Sequence, residues 1–89
     1  MDTIDVKKIN ENEFEVTVQS GNTTVHRVSL SSAYYRKLTN GNIPTEKLIE
    51  RSFEFLLERE PNTSIMGSFD LPVISRYFPE YEKVIKSKV

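Results

Sequence analysis

The side chains that most often carry acid–base or metal chemistry are scarce in this chain of 89 residues, which has one histidine, His26, and no cysteine. A lone histidine can act as a base or as one metal ligand, but a metal site usually requires a second histidine or a cysteine. Nucleophile–base pairs reduce to a serine with His26, and nothing in the spacing supports such a pair. The sequence therefore predicts a partly buried structural histidine, and it predicts no catalytic residues, no metal site and no cofactor.

Glutamates form the second pattern that could serve a function, because they recur at every fourth position from Glu46 to Glu58. Paired carboxylates in acid–base catalysis must converge in a cleft, whereas a spacing of four sets side chains in a row along one helix face. Lys47 and Arg51 offset part of the repulsion within this row. The row is either a solvated helix face or a docking surface for a basic partner. The candidate interaction residues are Glu50, Glu54, Glu58, Tyr77 and Tyr81.

Composition argues against several classes of protein. The net charge of −1 is not that of a nucleic-acid domain built on bulk positive charge. The three glycines lie too far apart for a loop that cradles phosphate. The first residues lack the apolar run of a secretion signal, and no later stretch approaches a membrane span. We therefore expect a cytoplasmic protein that has no membrane segment.

The first thirty residues alternate apolar and polar side chains in three runs, which is typical of strands with one buried face. Three-residue loops at 10–12 and 21–23 would put every apolar residue on the same face. The predicted pairs are Ile4 with Val18, Val6 with Val16, Val16 with Val28, Phe14 with Leu30, and His26 with Val18. On the other face, Lys7 would lie beside Glu15, and Asp5, Thr17 and Arg27 would share a row.

The remainder of the chain reads as helical. Ser31 and Ser32 can cap a short helix that stops near Gly41, and a longer helix fits between Pro44 and Pro61. At about 100° per residue, the apolar side chains of that longer helix span an arc of roughly 200°, so it must be covered from two sides. The arc is formed by Leu48, Ile49, Phe53, Phe55, Leu56 and Leu57.

The segment DLPVISRYFPEYE, residues 70–82, has the aromatic spacing of a lid for the long helix. Asp70 can cap a helix whose first turn holds Pro72, and Pro79 disfavours helical geometry at Phe78. We expect residues 69–85 to fold back over the long helix within one chain. The predicted fold is α+β, a single domain over residues 1–89. A three-stranded antiparallel β-meander (3–30) is followed by three to four helices (32–86) packed on one face.

The run RSFEFLLEREPNTSI, continued by FDLPVISRYFPEYE, resembles a family of short uncharacterised bacterial proteins. That resemblance covers most of the chain and implies no activity. It leaves the function to be inferred from the residues themselves.

Residues 26–60, HRVSLSSAYYRKLTNGNIPTEKLIERSFEFLLERE, are similar to a ribbon-helix-helix unit of transcription regulators. The resemblance implies a homodimer formed by strand pairing, with alternate strand residues reading the DNA major groove. In this sequence the reading residues would be Val25, Arg27 and Ser29.

Two functions are therefore expected. The first is a small non-enzymatic cytoplasmic domain that acts as an adaptor or regulator through protein–protein contacts, with a possible homodimer. The alternative is a DNA-binding transcription regulator or antitoxin of the ribbon-helix-helix kind. Nucleic acid is the less expected partner, because only Arg27 of the three candidate readers is basic and the net charge is negative.

Overall fold

The structure is a computed structural model that describes residues 3–88, so residues 1, 2 and 89 of the predicted domain lie outside the described range. Three strands come first, followed by helices and one further short strand. The elements are β1 (Thr3–Asn10), β2 (Glu13–Ser20), β3 (Asn22–Ser29), α1 (Ser32–Thr39), α2 (Thr45–Leu57), a 3-10 turn (Asn62–Ser64), β4 (Ser68–Asp70), α3 (Val73–Tyr77) and α4 (Tyr81–Lys86). The α+β class is confirmed, but the sheet has four strands in the order β1-β2-β3-β4.

The first hairpin has the predicted register, with Val6 opposite Val16 and Lys7 opposite Glu15. A bulge between Lys8 and Asn10 absorbs one residue, so the turn itself is shorter than the predicted three-residue loop. The alternation of side chains is preserved along the paired strands. The predicted faces of β1 and β2 are therefore confirmed.

The predicted register of the second hairpin is wrong by two residues. Gly21 adopts a positive φ of 79° and turns the chain so tightly that Ser20 pairs with Asn22. The observed partners are Val16 with His26, Phe14 with Val28, and Glu15 with Arg27, so Arg27 does not share a row with Asp5 and Thr17. A shift of two residues leaves every side chain on its face, and Val16 and Val28 are both fully buried.

Strand β4 was not predicted, because three residues are too few to show an alternating pattern. It pairs with β3 in parallel over Arg27–Ser29. The Arg27 N–H donates to the Gly67 carbonyl at 2.8 Å, and the Leu71 N–H donates to the Ser29 carbonyl at 2.9 Å. The outer edge of β3 is therefore occupied along its last residues.

Helix α2 lies between the sheet and the C-terminal segment, as its wide apolar arc predicts. The Phe53 ring contacts His26 on the sheet side, with ring centroids 5.4 Å apart. The Phe55 ring meets Phe78 and Tyr81 on the other side, at centroid distances of 5.9 and 5.2 Å. The predicted fold-back within one chain is confirmed, and the predicted break at Phe78 separates α3 from α4.

A buried hydrogen bond ties α4 to α2 within this interface. Ser52 donates to the Leu48 carbonyl, and its hydroxyl lies 2.6 Å from the Tyr81 hydroxyl. Because Ser52 has one proton to donate, Tyr81 must be the donor in the second bond. Burial raises the pKa of the Tyr81 phenol, which keeps this donor protonated.

Helix α1 is joined to α4 through Glu82. The Tyr34 hydroxyl donates to Glu82 Oε2 at 2.8 Å, and Lys37 Nζ lies 3.4 Å from Glu82 Oε1. The hydrogen bond from Tyr34, followed by the contact with Lys37, lowers the pKa of the Glu82 carboxyl below its usual 4.5. Such a group stabilises the fold above its unfolded pKa, and this contribution is lost as the pH falls through the folded pKa.

We predict that Tyr34→Phe flattens the acid limb of the stability profile. The free energy of unfolding of the wild type should fall more steeply than that of the variant between about pH 5 and pH 3. Tyr35→Phe is the matched control, because the Tyr35 hydroxyl donates to the Ile43 carbonyl and not to a carboxylate. Urea unfolding at several pH values measures the effect. Parallel profiles for the wild type and Tyr34→Phe would contradict the prediction.

Candidate functional site

Strand β1 is the other edge of the sheet. Backbone hydrogen bonds of successive residues in a strand point to alternate sides, which shows which residues of β1 bond to β2. The backbone of Arg27 and Ser29 bonds to the β4 segment, so the even-numbered residues of β3 are the ones whose backbone groups hydrogen-bond to β2. The odd-numbered residues of β2 must then bond to β1, and their partners in β1 are also odd-numbered. The backbone groups of Ile4, Val6 and Lys8 consequently point away from the sheet, and this side of β1 has no neighbouring strand within the described residues.

A groove of about 580 Å³ runs between the start of β1 and helix α2. Ile4 and Leu57, both half-buried, give it an apolar floor. Three glutamates of α2, Glu50, Glu54 and Glu58, line its wall; Asp5 borders it from β1, with its side chain on the opposite face of the sheet from Ile4. A second hollow beside Val6 and Pro44 continues along the same strand, with Glu46 and Lys47 in its lining.

The glutamates of α2 also have cationic neighbours on the helix itself. Lys47 lies 2.9 Å from Glu50, and Arg51 lies 3.0 Å from Glu54. These pairs are partly exposed, and pairs near the surface contribute only about 0–1 kcal/mol. None of these cations lines the groove between Thr3–Asp5 and α2. Among residues 3–88, the lining of the groove therefore contains glutamates and no cation.

The predicted interaction residues do not form one surface. Glu50, Glu54 and Glu58 lie together along the groove. Tyr77 is 66% exposed on α3, and it lines a separate cavity. Tyr81 is fully buried, so its assignment to an interaction surface is wrong, because its ring closes the core against Phe55.

Sequence reasoning missed the contribution of β1 to this site. The sequence pattern marks Ile4 and Asp5 only as members of a strand, and Leu57 only as part of the apolar arc of α2. The strand order, which leaves β1 at an edge, gives these residues their place in the groove. The one available signal was Leu57, which lies at the border between the apolar arc and the glutamate row.

The three candidate DNA readers lie on β3. Val25 is 56% exposed and Arg27 is exposed on the outer face, whereas Ser29 is half-buried. A ribbon-helix-helix dimer requires the β3 edge to pair with a second copy. Strand β4 occupies that edge over Arg27–Ser29, so β3 is not an open edge along this stretch.

His26 is buried, and both of its ring nitrogens have partners. Nδ1 lies 2.8 Å from the Met66 carbonyl, and Nε2 lies 2.8 Å from the Thr24 hydroxyl. This arrangement holds the loop before β4 against β3, in agreement with a structural histidine. Across residues 3–88, no group of three or more histidine or acidic side chains is placed to hold a metal ion.

Two further findings concern the chain as a whole. Within the part of the chain that the structure describes, no helix has the length and apolar character needed to cross a bilayer. Comparison with protein-family models, curated proteins and solved structures gave no match to this chain. The function is therefore argued from the geometry of the site.

Proposed function

We propose that this protein is a non-enzymatic binding domain that takes an extended, basic peptide segment of a partner protein onto the free edge of β1. The observation that carries the proposal is the position of the outward-facing backbone of Ile4, Val6 and Lys8 beside a groove lined by three glutamates of α2. Edge strands pair readily with a further strand, and main-chain hydrogen bonds supply affinity in such complexes. The role is that of an adaptor or regulator.

The groove determines which peptides fit this edge. Side chains of an added strand alternate between the two faces of the sheet. Every second residue would therefore point towards α2, where Glu50, Glu54 and Glu58 line the wall. Long basic side chains suit this position, because their aliphatic stems can cover Ile4 and Leu57 while their charged ends reach the carboxylates.

The DNA-binding alternative has less support. It requires β3 to pair with a second copy, and β4 occupies that edge over Arg27–Ser29. The sheet edge that remains free adjoins carboxylates, which repel the phosphates of a nucleic acid. Binding to DNA or heparin at low salt, weakening steeply as salt rises, would reverse this preference.

The proposal predicts selective binding of an alternating basic peptide. A fluorescent octapeptide of alternating arginine and threonine should bind in a fluorescence-anisotropy titration, and its affinity should fall as salt screens the charges. Replacing Glu50, Glu54 and Glu58 together by glutamine should weaken binding about tenfold, the sum of three modest ion pairs.

Two control peptides separate strand addition from simple charge attraction. An octapeptide with four arginines followed by four threonines has the same charge but cannot present arginine at every second position to the groove. A peptide of alternating glutamate and threonine keeps the spacing and reverses the charge. Equal binding of the block and alternating arginine peptides would contradict the proposal, and so would an unchanged affinity of the glutamine variant.

A further inference from the structure

A second cavity, of about 320 Å³, lies near the end of α2. It is bounded by the end of α2, the loop before β4, and helix α3. Its lining is mainly apolar or aromatic and includes Ile65, Met66, Phe69, Tyr77 and Phe78, with Glu60 on its polar side. The lining shares no residue with the β1 groove. Its size lies at the small end of the range for ligand sites.

Glu60 is the one side chain in this lining that is charged at neutral pH. Within residues 3–88 it forms no ion pair, whereas its neighbour Arg59 is engaged by Glu58 and Glu80 at 3.3 and 3.2 Å. The Glu60 side chain is half-buried at the cavity, and this burial raises the pKa of its carboxyl. A carboxylate in that position gains from a cation that enters with its own apolar body.

Aromatic side chains give the cavity a second means of attracting a cation. Phe69 and Phe78 are half-buried in its wall. Tyr77 is 66% exposed and Met66 is 41% exposed, so both can move against an entering ligand without loss of core packing. Aromatic faces attract organic cations most strongly where water is excluded.

We propose that this cavity binds a small organic ammonium ion with an apolar or aromatic body, whose charge pairs with Glu60 while its body lies against Ile65, Phe69 and Phe78. The apolar floor supplies burial of the body. Glu60 and the ring of Tyr77 select for positive charge at the mouth of the cavity. The proposal is independent of peptide binding at β1.

Three probes of nearly the same shape test whether the cavity prefers a positively charged ligand. They are 3-phenylpropylammonium, 3-phenylpropanol and 3-phenylpropanoate, each titrated into the full chain and followed by chemical shifts of the Ile65, Met66 and Tyr77 amides. The ammonium ion should bind at least tenfold more tightly than the alcohol, the scale of one charge-assisted hydrogen bond. The carboxylate should bind most weakly.

Two variants identify the residues responsible. Glu60→Gln should weaken binding of the ammonium ion about tenfold and leave the affinity for the alcohol unchanged. Glu11→Gln removes a matched charge in the exposed β1–β2 turn and should change neither affinity. Tyr77→Ala should weaken binding of the ammonium ion more than binding of the alcohol. Thermal melting verifies that each variant folds. Equal affinity of the three probes, shift changes confined to other residues, or unaltered ammonium binding by Glu60→Gln would overturn the proposal.

Discussion

Replacing Phe55 by alanine should lower the free energy of unfolding by about 3–5 kcal/mol, the usual cost of removing a fully buried phenylalanine. Phe55 has no exposed surface, and its ring joins α2 to the C-terminal segment through edge contacts with Phe78 and Tyr81. The Arg59 guanidinium also lies 3.6 Å from the centre of this ring. A loss of that size is a large share of the stability of a small domain.

Phe78→Ala provides a comparison in which a smaller loss of stability is expected. The Phe78 ring is only partly buried against Phe55, so its loss should cost less than the loss of Phe55. Urea unfolding measures both variants, and light scattering follows their mass. If Phe55→Ala remained as stable as the wild type while an oligomer dissociated, these rings would belong to an interface between copies and not to a core within one chain.

The fold was predictable from the sequence where periodic patterns are long. Eight-residue strands show which face is buried, and the 200° arc of α2 requires a cover on two sides. Local pattern could not fix the register of the second hairpin, because a shift of two residues preserves the faces and only the conformation of Gly21 decides it. Strand β4 was hidden for a different reason, since three residues stabilised by pairing with β3 carry no period of their own.

The candidate site was predictable only in part. The glutamate row follows from its four-residue spacing, but the groove exists because the tertiary fold sets this row beside an edge strand. Tyr77 and Tyr81 have similar positions in the sequence pattern, yet one is exposed and the other buried. The break at Phe78 lies between them, so Tyr77 ends α3 and Tyr81 begins α4, and the two rings point in different directions.

Val6→Pro should weaken binding of the alternating arginine–threonine peptide about thirtyfold, which equals a loss of about 2 kcal/mol in binding free energy. Proline removes the outward N–H of Val6, and its ring blocks the close approach of an added strand. The ladder to β2 should persist, because the bonds between these strands are made by odd-numbered residues of β1. The change therefore acts on the free edge and not on the sheet behind it.

Val6→Ala is the matched control, because it also removes the half-buried valine side chain but keeps the N–H. It should retain most of the peptide affinity. Anisotropy titrations compare the two variants, and urea unfolding verifies that each is folded. Equal weakening by alanine and proline would assign the effect to side-chain packing and would argue against strand addition.

Amide hydrogen exchange along β1, measured by NMR with and without the arginine–threonine peptide, tests strand addition most directly. In the free protein the N–H groups of Ile4, Val6 and Lys8 should exchange quickly, whereas those of Asp5 and Lys7 should already be protected by β2. Saturating peptide should slow exchange at Ile4, Val6 and Lys8 and leave Asp5 and Lys7 nearly unchanged. Exchange at the three even-numbered positions that stays fast while the peptide is bound would contradict binding at the edge of β1.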